Sequence, residues 1–141
     1  MREILFRGKA KAIAGCPYNN GKPDGEWVFG YVFSDLGAMK IRQYETDRPE
    51  CNDYEVDPET VGQYTGLTDK NGVKIFEGDI VSLRKCNELI YKVVYDNFRF
   101  ELHNKNDIAC YVLSIYKSKD LEIIGNIHDN PDILKGGEEN G

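Results

Sequence analysis

The stretch that decides the fold is Leu89-Ile90-Tyr91-Lys92-Val93-Val94-Tyr95-Asp96-Asn97-Phe98-Arg99-Phe100-Glu101-Leu102-His103. Leu89, Tyr91, Val93 and Tyr95 recur at the period of two that a strand imposes. Phe98, Phe100 and Leu102 repeat the pattern after Asp96-Asn97, with Arg99, Glu101 and His103 on the opposite face. Read as a two-residue turn, Asp96-Asn97 pairs Tyr95 with Phe98, Val93 with Phe100 and Tyr91 with Leu102. That register gathers six apolar side chains on one face, so turn chemistry and alternation agree on an antiparallel hairpin.

Upstream of this hairpin, Asn71-Gly72 carries the two-residue turn signal and would pair Lys70 with Val73 and Thr68 with Ile75. Glu77-Gly78-Asp79 then turns the chain into a strand over 80–84, and Gly78 should hold a backbone conformation closed to other residues or sit where a side chain cannot fit. Further back, residues 26–34 form a strand with Trp27, Phe29, Tyr31 and Phe33 on one face and Val28, Gly30 and Val32 on the other. Both faces are apolar, which places it centrally in a sheet. Gly30 among bulky neighbours predicts a bend or a close backbone approach. The turn at Asp35-Leu36-Gly37 returns a partner strand over 38–44. A three-residue loop pairs Phe33 with Met39 and Tyr31 with Ile41; a four-residue loop sets Val32 against Met39. Residues 2–7 read as a strand, 15–25 as a Gly/Pro/Asn loop and 45–58 as an acidic surface loop.

Downstream, 108–116 is apolar enough to be buried in either secondary structure. Residues 121–127 form a last strand, and Asn130-Pro131 resembles a helix start of about one turn. The tail over 135–141 has nothing to bury and should be disordered. The expected architecture is therefore one mostly β domain over 1–134, a small antiparallel barrel or sandwich with room for SH3-like barrel elements and little helix. Short strands would leave exposed edges in an open sheet, which tilts the expectation toward a barrel.

Composition narrows the function classes. The chain of 141 residues carries 18 Lys and Arg against 24 Asp and Glu, a net charge of −6. That balance disfavours duplex nucleic acid and anionic lipid as general partners. The sequence contains no apolar run of membrane-spanning length and no secretory signal, so the cytoplasm is the expected compartment. Cys16, Cys51, Cys86 and Cys110 are scattered without a Cys-x-x-Cys pair, as reduced thiols in a cytosol would be.

No catalytic pattern emerges. The glycines match neither Gly-x-Gly-x-x-Gly nor a P-loop, and no Gly-x-Ser-x-Gly occurs. Leu67 to Gly78 sets Asp69, Asn71 and Gly72 at the third, fifth and sixth positions of a calcium loop. Leu67 and Gly78 stand where its first and last ligands belong, so calcium is not expected. His103 and His128 are distant in sequence, and His103 beside Arg99 and Glu101 reads as a surface residue. The expectation is no metal, no cofactor and no catalytic residue.

Two segments suit a binding surface. Tyr64, Thr65, Asp69 and Lys70 combine an aromatic ring with donors and acceptors around flexible glycines, although a structural turn and hairpin uses the same residue types. Trp27 with Arg7 and Lys9 could stack a base or hold a peptide, whereas a strand Trp also suits a core.

Four runs resemble the YopX family when taken in order: REILFRGK at 2–9, GEWVFGY at 25–31, VDPETVGQYTGLTDKNGVKIFEGDIV at 56–81 and IIGNIHDNPDIL at 123–134. The resemblance implies a mostly β, partly barrel-like protein of phage or prophage setting in the bacterial cytoplasm, and it brings no catalytic residues. The expected function is a phage accessory protein acting as a protein-binding module for a host or phage protein, with homo-oligomerisation open. The alternatives are a nucleic-acid-associated small β-barrel and an enzyme of unrecognised type.

Overall fold

The computed structural model describes residues 3–12, 18–19, 22–44, 51–83, 89–104 and 107–134. The chain divides within one strand into two compact units, Met1–Tyr64 and Thr65–Gly141. Among the described residues no helix is long and apolar enough to cross a membrane.

The first unit contains β1 (Phe6–Lys9), β2 (Tyr18–Asn19), β3 (Lys22–Pro23), β4 (Trp27–Asp35), β5 (Ala38–Tyr44), β6 (Cys51–Glu55) and the opening of β7 (Gly62–Thr68). Its antiparallel sheet runs β6-β5-β4-β1-β7, while β2 and β3 pair separately. Strand β1 begins later than its sequence suggests, at Phe6. The loop expected over 15–25 contains the small β2–β3 hairpin. The acidic loop expected over 45–58 contains β6, because Tyr54 and Val56 turn into the core with Val28 and Ile41. Residues 45–50 of that loop lie outside the described part.

The hairpin of β4 and β5 corrects both expected registers. Asp35 pairs with Ala38, Val32 with Ile41 and Tyr31 with Arg42. The loop is therefore two residues, Leu36-Gly37, with φ of 50° and 84°. Positive φ at both positions matches the right-handed twist of the strands it joins. Strand β4 is central, between β1 and β5, yet only its Val28/Gly30/Val32 face lines the core. The strand is thus central as expected, while residues of its aromatic face, Phe29 and Tyr31, are exposed. Gly30 provides the predicted close approach: a Cβ there would overlap the Arg42 carbonyl.

Among the described residues one isolated bridge, Ala10 with Val56, joins the chain beyond β1 to the chain beyond β6. The fold is thus of the expected mostly β class, built on antiparallel sheets; of the two expected forms, a closed barrel is absent among the described residues.

The second unit contains the end of β7, β8 (Lys74–Phe76), β9 (Asp79–Leu83), β10 (Leu89–Asp96), β11 (Arg99–Asn104), β12 (Asp107–Val112) and β13 (Leu121–Asn126). Its five-stranded sheet runs β12-β11-β10-β9-β13. Ile75, Val81, Leu83, Tyr91, Val93, Phe100, Leu102, Leu113 and Leu121 form one buried cluster. The uncertain segment over 108–116 resolves into β12 followed by a 3₁₀ turn at Leu113–Ile115. A single helical turn covers 131–134. The Asn130 side-chain oxygen there takes the Asn126 N–H at 3.2 Å.

Two turns in this unit differ from expectation. Strands β10 and β11 form the predicted hairpin, but Tyr95 pairs with Phe100 and Val93 with Leu102. The turn is Asn97-Phe98, with φ of 53° and 62°. Asp96 instead pairs with Arg99, so the expected pairings of Tyr95 with Phe98 and Val93 with Phe100 are replaced, although Val93 and Phe100 share one core cluster. At Asn71-Gly72 only Gly72 has positive φ. Gly72 N–H donates to Asp69 O at 3.0 Å and Asp69 N–H to Val73 O at 2.9 Å. The loop is therefore three residues, a β-turn closed by a glycine bulge, and it aligns Asp69 rather than Lys70 with Val73. Gly78 has the predicted positive φ, at 95°.

The tail over 135–141 lies outside the described residues. So do Cys16 and Cys86, together with the side chains of Cys51 and Cys110.

Candidate functional site

The open face of the first sheet is built by register. Lys9 pairs with Trp27 and Arg7 with Phe29 across β1 and β4. Tyr31 pairs with Arg42 and Phe33 with Lys40 across β4 and β5. Directly opposed residues share a face, so an aromatic row on β4 is flanked by cations on both sides. Asp53 and Glu55 of β6 follow opposite Arg42 and Lys40.

The aromatic row remains accessible, with Phe29 41% exposed, Tyr31 56% and Tyr44 55%. Tyr31 and Tyr44 meet edge to face, with centroids 6.1 Å apart. Trp27 is half-buried; the Arg7 guanidinium lies 4.6 Å above its ring and the Lys9 ammonium 5.5 Å away. The structure thus brings Trp27, Arg7 and Lys9 together, as the sequence suggested, and settles them as a cation–π stack at the end of an exposed aromatic row.

The other cations of this face are neutralised locally. Arg42 grips Asp53 through two bonds, Nε–Oδ1 at 2.8 Å and Nη2–Oδ2 at 3.1 Å. That grip holds the Asp53 carboxyl below its ordinary value. Lys40 pairs with Asp35 at 2.9 Å, which raises the ammonium pKa.

The second sequence candidate is placed differently. Tyr64, Thr65 and Asp69 are buried. Thr65 Oγ1 donates to Ile75 O at 2.8 Å and accepts from Leu67 N–H at 3.2 Å. Asp69 Oδ1 receives the N–H groups of Asn71 and Val73, and Oδ2 that of Ile123. Lys70 bonds Glu122 at 2.7 Å. Nearby, Asp79 Oδ2 receives Phe76 N–H at 2.7 Å, closing the turn at Gly78. The polar groups of this segment hold loops together inside the second unit.

Sequence reasoning missed Phe29, Tyr31, Lys40, Arg42 and Tyr44. The signal was the alternation of Lys40, Arg42 and Tyr44, which marks a wet face once the register is known. It also put Glu101 on the solvent side of its hairpin, whereas Glu101 is 0% exposed. Arg99 Nε lies 2.6 Å from Glu101 Oε2 and His103 Nε2 lies 2.9 Å from Oε1. The hydrogen bond from His103, then that from Arg99, holds the Glu101 carboxyl down at about 2 from an ordinary 4.5.

Fold and surface together define an antiparallel β protein whose most distinctive exposed feature is an aromatic sheet face edged by cations. Residues 31–135 match the family model described as YopX protein, and the chain belongs to that family. The crystal structure of protein EF1440 from Enterococcus faecalis is similar, with a TM-score of 0.54 and 23% sequence identity, covering 95% of this chain and 99% of that one. At that identity the likeness concerns the fold. No curated protein sequence matches the chain.

Proposed function

We propose that this protein is a phage or prophage accessory protein acting in the bacterial cytoplasm as a non-catalytic module that docks on a host or phage protein. The docking surface is the aromatic face of the first unit. The observation that carries this reading is the accessibility of Phe29, Tyr31 and Tyr44 on a sheet face centred on an internal strand. Adjacent exposed rings of this size mark interaction sites more often than solvated surface. The composition is that of a protein interface, with aromatics and Arg at the centre and paired charges around them. A protein partner suits it better than a phosphate backbone, because Arg42 and Lys40 already hold Asp53 and Asp35 and the whole chain is acidic.

The test is site-specific photocrosslinking in the bacterial host, with the probe at Tyr31 and, as control, at exposed Val73 in the second unit. A discrete protein adduct from Tyr31, absent from Val73 and lost in Phe29→Asp, supports the reading. Equal adducts from both positions, or adducts to nucleic acid alone, overturn it.

A further inference from the structure

A different feature lies on the β10–β11 hairpin of the second unit. Asp96, Glu101 and His103 each offer one ligand atom, and the three atoms lie within 4.8 Å of one another. The set contains an imidazole nitrogen and two carboxylate oxygens. Its geometry follows from the strand: Glu101 and His103 stand two residues apart on one face of β11, and Asp96 closes the neighbouring strand opposite Arg99.

Glu101 is held as a ligand would be. Arg99 pins its Oε2 at 2.6 Å, which leaves Oε1 directed at His103 Nε2, 2.9 Å away. Metal-bound carboxylates are oriented in this way by an outer hydrogen-bond donor. A carboxylate only accepts, so the hydrogen between these two atoms belongs to the imidazole. Asp96 Oδ1 receives Asn97 N–H at 2.9 Å, so one hydrogen bond fixes this carboxylate at the turn. Lys92 stands opposite His103 on the same face, so the two carboxylates are balanced by Arg99 and Lys92, and it is the ligand geometry that favours a cation here.

We propose that Asp96, Glu101 and His103 form a binding site for a divalent first-row transition-metal ion. The ion takes the place of the hydrogen between Glu101 and His103. The ring proton moves to Nδ1, which frees the Nε2 lone pair; a doubly protonated ring releases one proton to solvent. The imidazole sets this donor set apart from the all-oxygen shells of calcium and magnesium, and Arg99 is its positioning residue. The ligand spacing escapes a sequence search because it follows the two-residue strand period plus a turn, not the spacings of fingers or helices.

The test uses the full chain and Mn²⁺, which favours oxygen and nitrogen ligands over the four thiols. The chain has two histidines, so their ring signals in a nitrogen-resolved NMR spectrum are separable. Substoichiometric Mn²⁺ should broaden the His103 ring and the backbone amides of 96–103 while sparing His128. His103→Ala, or His103→Gln should that variant fold poorly, should weaken binding by at least the ~10–100-fold that losing a mere outer partner costs. Broadening centred on His128 or spread over the acidic surface, no localised broadening, or undiminished binding by a folded His103 variant overturns the proposal.

Discussion

The carbonyl oxygen of Arg42 occupies the space in which a side chain on Gly30 would stand. The pairing of β4 changes at that residue. Residues 27–30 pair with β1 and residues 31–35 with β5. Beyond the change, Gln43 reaches back with its side-chain oxygen to accept Phe29 N–H at 2.9 Å. Glycine lets the neighbouring backbone close in at this point. Gly30→Ala should therefore destabilise the chain by about 1–3 kcal/mol, the cost of overpacking against atoms that cannot rotate away. Urea unfolding checks this, and an unchanged midpoint would show that β5 can retreat.

Gly78 holds a torsion that other residues take only with strain. Its φ is 95°, and Asp79 Oδ2 holds the same turn through Phe76 N–H. Gly78→Ala should cost on the order of 1 kcal/mol or more, because alanine is strained at that φ. Thermal unfolding should show a lowered Tm; a rise would mean that the turn rearranges at no cost.

The two hairpins explain which parts of the fold were legible in the sequence. In β10–β11 the true register differs from the expected one by two residues along the partner strand. A two-residue slip preserves face parity, so Tyr91, Val93, Phe100 and Leu102 were correctly assigned to the core. In β4–β5 the three-residue-loop register was off by one. A one-residue slip turns every side chain of the partner strand over. It set Ile41 beside Tyr31, whereas the four-residue alternative, two residues off, kept the face parity. The true pairing of Tyr31 with Arg42 makes the Tyr31 face wet and aromatic, which is why only Trp27, Arg7 and Lys9 were visible as candidates. Burial of Glu101 was illegible for another reason: alternation assigns a face but not what its neighbours cover.

Asp69 makes a separate case, since one carboxylate receives three backbone N–H groups, two from its own loop and one from strand β13. Removing it takes the acceptor from three backbone donors; exposed Asn71 and Val73 can turn to water, whereas half-buried Ile123 is less free to do so. Asp69→Ala should destabilise by about 1–3 kcal/mol, the cost of one donor left poorly satisfied. Asp69→Asn, which keeps one acceptor, should lose less. Hydrogen exchange gives the local readout: Asn71, Val73 and Ile123 amides should lose protection together, and independent behaviour would argue against a shared anchor.

At the β10–β11 tip, Phe98 has φ of 62° and is 95% exposed. A non-glycine residue in this region costs roughly 1–2 kcal/mol, and so exposed a ring recovers little by burial. Phe98→Gly relieves that strain, partly offset by the greater freedom of glycine in the unfolded chain. The net effect should be stabilisation of up to about 1 kcal/mol, seen as a higher Tm. A lowered Tm would show that the ring makes contacts worth more than its strain.

Hydrogen bonds from His103 and Arg99, with a smaller one from Asn97, lower the Glu101 carboxyl from 4.5 to about 2. A group with a depressed folded pKa binds protons more readily when unfolded, so its contribution is complete above the unfolded value. That contribution fades as pH falls from about 4.5 and is gone once pH passes below about 2. Stability should therefore fall with pH across this window. Other carboxylates titrate nearby, which makes the informative quantity the difference between the native chain and Glu101→Gln. Glutamine keeps an acceptor but cannot ionise. The variant should be the less stable at pH 6, and the gap should narrow steadily as pH drops through the window. Denaturant unfolding at closely spaced pH values measures it. A gap that stays constant down to pH 2 would mean that Glu101 acts through shape and hydrogen bonding alone, with its charge contributing nothing to stability.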